Sequence, residues 1–188
     1  MLRRVHRECP GARVELWAQD EARLGLIPIV RRVWARRGER PLALGQRRYQ
    51  WLYLYGFVRP GGGQVEWIIL PDVDTEVFSI ALKHFAKAVG AGPQKRIVLV
   101  LDRAGWHASN NLVVPEGIHL VFLPAYSPEL QPAEHLWPLV HEAMANRRIE
   151  TLDDLEDLLS ERCRALALDA ALIRSNTLFH WWPIDYAR

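Results

Sequence analysis

Apolar and polar residues alternate from Val14 through Leu16 to Ala18, the period of a strand with one buried face, so residues 14–19 predict a strand whose end delivers Asp20. Leu24 to Trp34 and Tyr49 to Val58 are rich in branched and aromatic residues, and Pro60-Gly61-Gly62-Gly63 makes a turn into Val65–Leu70. Together these predict an antiparallel hairpin set. Asp74 or Thr75 caps a helix in which Val77, Phe78, Ala81, Leu82, Phe85 and Val89 recur at helical spacing before Gly90 ends it. Ile97–Leu101 is apolar without a break, too hydrophobic for a half-exposed strand, and is placed mid-sheet with both faces covered and Asp102 at its carboxyl end.

The second half reads as a short helix over His107–Val113, a strand over Ile118–Leu123, the loop PAYSPELQP and a helix from near Pro132, where a first-turn proline costs nothing. On that helix Leu136, Val140 and Ala143 form a core stripe, while Glu134, Trp137 and His141 share another face, so the glutamate is displayed. Thr151 caps a further helix with Leu152, Leu155, Leu158 and Leu159 on one side, and Asp169–Trp182 is predicted helical as well. Strands first and then alternating helix and strand imply a mixed α/β layer fold. In such sheets, sites collect beyond the carboxyl ends of central strands, where Asp20 and Asp102 stand.

With 188 residues and 49% hydrophobic content, the chain fits one core of ordinary domain size. The start, MLRRVHRECP, lacks an apolar stretch after its charges, and IVLVL is too short to cross a bilayer, which predicts a soluble, cytoplasmic protein. Cys9 and Cys163 lack the spacing of a disulfide framework or zinc site. Net charge is only +2, but Arg31, Arg32, Arg36, Arg37, Arg40, Arg47 and Arg48 are opposed within their stretch by Glu39 alone. Arg3, Arg4 and Arg7 form a second basic cluster, whereas Glu150 to Glu161 is purely acidic among its charges. This asymmetry predicts a surface that meets polyanions. Trp34, Tyr49 and Trp51, interleaved with the arginines, suit base stacking, or equally serve as core aromatics.

Asp20, Asp102 and Glu134 together predict a carboxylate site for divalent metal. A hard cation such as Mg2+ takes one or two carboxylates and leaves its other positions to water and substrate phosphate, so three carboxylates suffice for two ions. Such chemistry asks none of the three for a shifted pKa. Glu21 and His107 stand next to the ligands in sequence and are candidates to brace them, although a solvated glutamate and a backbone-satisfied histidine are the bland alternatives. Ser127 and Pro128, with Tyr126, form a turn that aims the last helix. A zinc site from His107, His135 and His141 matches no HExxH-type spacing.

The blocks WAQDEARLGL, VWARRGERP, IVLVLDRAGWHAS and LPAYSPELQPAEHLW, in this order, resemble the catalytic domain of IS630-type DDE transposases, within the IS630/Tc1/mariner superfamily. The resemblance implies an RNase H-like fold with a mixed five-stranded sheet flanked by helices. It also implies a DDE triad of metal ligands at Asp20, Asp102 and Glu134, and two Mg2+ or Mn2+ ions per site. The partners implied are transposon terminal inverted repeats and target DNA, bound as a homodimer; the arginines of 31–48 are the candidates that charge alone offers for that contact. Two positions depart from the family pattern, Arg103 and Gln131, where asparagine is usual. The expected organisation is one catalytic domain over 1–188, with 1–13 as a leader and 146–188 as a helical extension. The helix-turn-helix that reads transposon ends does not fit into thirteen residues and is expected on a separate or frameshift-joined polypeptide. Two other readings remain: an RNase H-like nuclease that cuts without joining, and a truncated or domesticated nucleic-acid-binding domain without catalysis.

Overall fold

The computed structural model describes residues 1–39, 48–125 and 127–183. A helix α1 (Leu2–Glu8) precedes three strands, β1 (Arg13–Gly25), β2 (Trp51–Arg59) and β3 (Gln64–Leu70). Helix α2 (Thr75–Val89) leads to β4 (Lys95–Leu101) and β5 (Ile118–Phe122), and α3 (Trp137–Met144), α4 (Leu152–Leu168) and α5 (Ala170–Thr177) follow. The five strands form one sheet in the order β3-β2-β1-β4-β5. β1, β2 and β3 pair antiparallel, while β4 and β5 run parallel to β1, which is the expected mixed sheet flanked by helices.

Alternation sorts the side chains onto two covered faces. Trp17, Tyr55, Phe57, Ile97, Leu99 and Leu101 pack against Phe78, Ala81, Leu82 and Phe85 of α2. Ala18, Leu54, Val58 and Val100 face the other way, onto Leu136 and Val140 and onto Leu155, Leu159 and Cys163 of α4. β4 is apolar from Ile97 to Leu101 because that stretch has a helical layer on each side. The expected leader is itself ordered, with Val5 of α1 packed on Val14 and Val98. Asp74 caps α2 through the Val77 amide, and Gly90 ends it in the left-handed conformation. Thr151 and Asp154 form a reciprocal capping box at the start of α4.

Several elements differ from the sequence pattern. β1 does not stop before Asp20: its pairing with β4 ends at Ala18, but β2 remains bonded alongside it as far as Gly25. Asp20 therefore sits where the strand loses one neighbour. The strand expected over Leu24–Trp34 ends at Gly25: beyond it, among the described residues, only the Leu26 amide bond to the Gln50 carbonyl and a single bridge from Ile29 to Ala145 continue the pairing. His107–Val113 is a chain of turns, not a helix. The helix expected from Pro132 opens as two 3-10 turns, Pro128–Leu130 and Pro132–Leu136, and becomes α-helical only at Trp137. Pro128, Pro132 and Pro138 each remove an amide from the regular ladder. The core stripe there is Leu136, Val140 and Met144, not Ala143, and the final helix ends at Thr177. Among the described residues, no helix is long and apolar enough to cross a membrane.

Candidate active site at the carboxyl ends of the central strands

Three elements each present one acid to a common cavity of about 400 Å3. Asp20 comes from β1, Asp102 directly follows β4, and Glu134 lies in the 3-10 turn before α3. Arg103, Ser127 and Gln131 line the same cavity.

Each aspartate has one oxygen fixed by the protein. Asp20 Oδ2 accepts a 2.7 Å hydrogen bond from Trp137 Nε1. Room for that indole comes from Gly56, the partner of Asp20 across β1 and β2. A Cβ there would lie 3.0 Å from Leu136 Cδ1, 3.1 Å from Trp67 and 3.2 Å from Trp137. Asp102 Oδ1 accepts from the Ala104 amide at 3.0 Å and lies 2.7 Å from His107 Nδ1. The other ring nitrogen, Nε2, is 3.4 Å from Glu21 Oε2. Glu21 in turn accepts from Trp106 Nε1 and Gln19 Nε2, both at 2.8 Å. His107 is buried, with its ring 4.3 Å from that of Phe78. Burial alone would favour the neutral ring, but the bonds to Asp102 and Glu21 win and push its pKa up to about 9. Asp102 is held below the usual carboxylate range, chiefly by its bond to His107.

Gln131 joins the third acid to the sheet. Its side chain is buried; Nε2 donates to the Gln19 carbonyl at 2.9 Å, and Oε1 accepts from the Ala133 amide at the start of the Glu134 turn. One amide thus clamps the backbone just before Asp20 to the turn that carries Glu134.

The cavity gathers three acids, of which Asp102 is paired with His107, and Arg103 lies on its lining. Burial pushes Asp20 up to about 8, the charge of Glu134 adds to the effect, and the Trp137 bond offsets only part of it. Glu134 is raised by burial and then by Asp102. Asp20 is shifted because its carboxylate is desolvated beside another acid with no cation paired to it among the described residues. Among the described residues, no side chain bonds to the second oxygen of Asp20 or Asp102 or to either oxygen of Glu134. Clustered carboxylate oxygens of this kind fit a hard divalent cation. Among the described residues, no three His, Cys, Asp or Glu side chains close on a point tightly enough to enclose an ion by themselves. The acids line a shared cavity, and water and phosphate would have to complete the coordination.

Of the residues singled out from sequence, Asp20, Asp102 and Glu134 are brought together, and Glu21 and His107 stand directly behind Asp102. His135 packs on Phe179 and His141 lines a different cavity, so neither joins His107. Arg31 pairs with Glu142, and Arg48 donates to the Glu150 carbonyl at 2.9 Å. Arg32, Arg36 and Arg37 are exposed, and Arg40, Arg47 and Tyr126 lie outside the described residues. Sequence reasoning missed three contacts. Trp137 reads as a core residue and is one, yet its indole N–H also finds Asp20. Gln131 was visible only as a departure from a pattern. Trp106 carried no signal beyond being next to His107.

The protein-family comparison matches residues 15–156 to the DDE superfamily endonucleases. An uncharacterized protein, y4pE/y4sA of Sinorhizobium fredii (strain NBRC 101917 / NGR234), is 37% identical over 115 residues, which are 61% of this chain and 82% of that protein. Among solved structures, the Mos1 strand transfer complex superposes with a TM-score of 0.57 at 17% identity, over 95% of this chain and 58% of the Mos1 chain. The catalytic domain of Mos1 mariner transposase gives 0.51 at 15% identity, over 95% of this chain and 90% of that one. This chain thus spans little more than half of the longer Mos1 chain. The likeness establishes an RNase H-like fold, and with the match over residues 15–156 the chain belongs to the DDE superfamily endonuclease family.

Proposed function

We propose that this chain is the catalytic domain of an IS630-type DNA transposase, which cleaves DNA at transposon ends and joins the ends to target DNA. The observation that carries the reading is the shared cavity of Asp20, Asp102 and Glu134, with one oxygen of each aspartate fixed and the other bonded to no side chain among the described residues. Further support comes from Mos1 structures solved as a strand transfer complex and as paired-end complexes with Mg and with Mn.

The protein's own part is positioning. Trp137 and the His107–Glu21 pair aim the aspartates, and Gln131 holds the Glu134 turn. Asp20, Asp102 and Glu134 would hold two Mg2+ or Mn2+ ions. When bound, such ions activate the attacking water or DNA 3′-hydroxyl and stabilise the leaving oxygen. The exposed Arg32, Arg36 and Arg37 offer phosphate contacts. The DNA complex would be a homodimer in the cytoplasm at the nucleoid, with a helix-turn-helix region supplying end recognition.

The test is nicking of supercoiled plasmid in Mn2+, together with joining of a pre-cleaved end to a target plasmid. Asp102→Asn should abolish both while the domain stays folded, and undiminished nicking by that variant would remove Asp102 from the mechanism. Nicking without joining would favour a plain nuclease.

A further inference from the structure

A second cavity, of about 390 Å3, opens at the mouth of the β1–β2 hairpin. Its walls include Arg23, Arg48, Tyr49, Trp51 and His141, and no carboxylate lines it among the described residues. Two of these walls are exposed aromatics: Tyr49 is 75% accessible and Trp51 40%. The Arg23 guanidinium lies over the Trp51 ring, 5.0 Å from its centroid, which widens the flat surface on offer. Burial and the Arg31 charge keep His141 below the ordinary histidine range, so at neutral pH its ring both donates and accepts.

The walls are pinned in place. The Arg31 amide donates to Asn146 Oδ1 and the Asn146 amide to the Ile29 carbonyl, each at 2.9 Å, and Arg48 is tied to the Glu150 carbonyl. A pocket held open in this way avoids much of the ordering cost of binding.

Two elements measure its distance from the acids. Along β1, Leu24 of this cavity lies four residues beyond Asp20, about 13 Å at strand rise. His141 lies seven residues beyond Glu134, at least about 10 Å at helical rise. Both run from the acidic cavity to the aromatic one, a few nucleotides along a DNA strand at about 3.4 Å each.

We infer that this cavity holds an unpaired nucleotide of the DNA strand that passes through the acidic site, with its base stacked on Tyr49 and the Trp51–Arg23 platform and its phosphate against Arg48. Charge favours that occupant: the lining carries two arginines without an acid, and a nucleotide brings an anion together with a π face. The inference rests on the proposed action on DNA.

The test compares binding of a short oligothymidylate with binding of an abasic strand of equal length and charge, in EDTA so that nothing is cut. Wild type should prefer the strand with bases by about tenfold or more, the effect of one stacked base. Tyr49→Ser, a change at an exposed side chain, should bring that preference close to parity while leaving affinity for the abasic strand unchanged. Equal wild-type affinity for the two strands, or a preference that Tyr49→Ser does not reduce, overturns the pocket, and salt-sensitive binding of both strands would leave the proposed function standing. Failure to bind either strand overturns the pocket and the action on DNA together.

Discussion

Asp20→Asn replaces a half-buried acid with an amide of the same shape, whose oxygen can still accept from Trp137. The folded pKa of Asp20 is raised from 3.8 to about 8. Between those values the native chain keeps a proton that the unfolded chain has released, so stability falls as pH rises. The slope from this one group is at most about 1.4 kcal/mol per pH unit, or about 3–6 °C in Tm per unit for a chain of this size. His107, raised from 6.5 to about 9, loses stability in the same direction as pH climbs through that window, so the difference between variant and wild type isolates Asp20. Thermal unfolding from about pH 5 to about pH 9 in EDTA should show a flatter profile for the variant. Mn2+ should reverse the order, because it binds the ionised acid: wild type should gain about 1.4 kcal/mol at ten times the Kd, and the variant little. A wild-type slope in the variant, or equal stabilisation of both by Mn2+, would refute the reasoning.

Three more changes probe the support around the acids. Gln131→Leu leaves the Gln19 carbonyl and the Ala133 amide unpaired and should cost about 1–3 kcal/mol in denaturant unfolding, with nicking reduced because Glu134 loses its tie to β1. Gly56→Ala drives a methyl into Leu136, Trp67 and Trp137 and should cost about 1–3 kcal/mol, with loss of nicking as the indole is pushed off Asp20. Thr151→Ala removes the α4 capping box and should lower Tm by about 2–4 °C, for about 1 kcal/mol, with nicking unchanged because that helix end lies away from the cavity lining.

The sheet was legible wherever burial is periodic. Val14, Leu16 and Ala18 reported one covered face of β1, and the unbroken run Ile97–Leu101 reported two for β4. Pattern failed where hydrogen bonding alone sets the limits. β1 continues past Asp20 because β2 is bonded beside it, and neither charge nor hydropathy in 20–25 records that partner. The stretch after Gly25 is apolar enough for a strand, yet Val30, Val33 and Trp34 are exposed, with no strand paired to them among the described residues. At the site, the acids could be read from their places at element ends. Their supports could not: Trp137 lies 117 residues from Asp20 and Gln131 lies 112 from Gln19, and spacing along the chain does not encode a contact of that range. The raised pKa of Asp20 has the same origin, since it depends on burial and on Glu134 arriving from a distant turn.

The most direct measurement is anomalous diffraction from crystals of this protein with a short DNA duplex and Mn2+, collected near the manganese edge. Peaks should lie in the cavity among the oxygens of Asp20, Asp102 and Glu134 and vanish in Asp20→Asn. Manganese bound elsewhere with that cavity left to water, or peaks untouched by the substitution, would contradict the account.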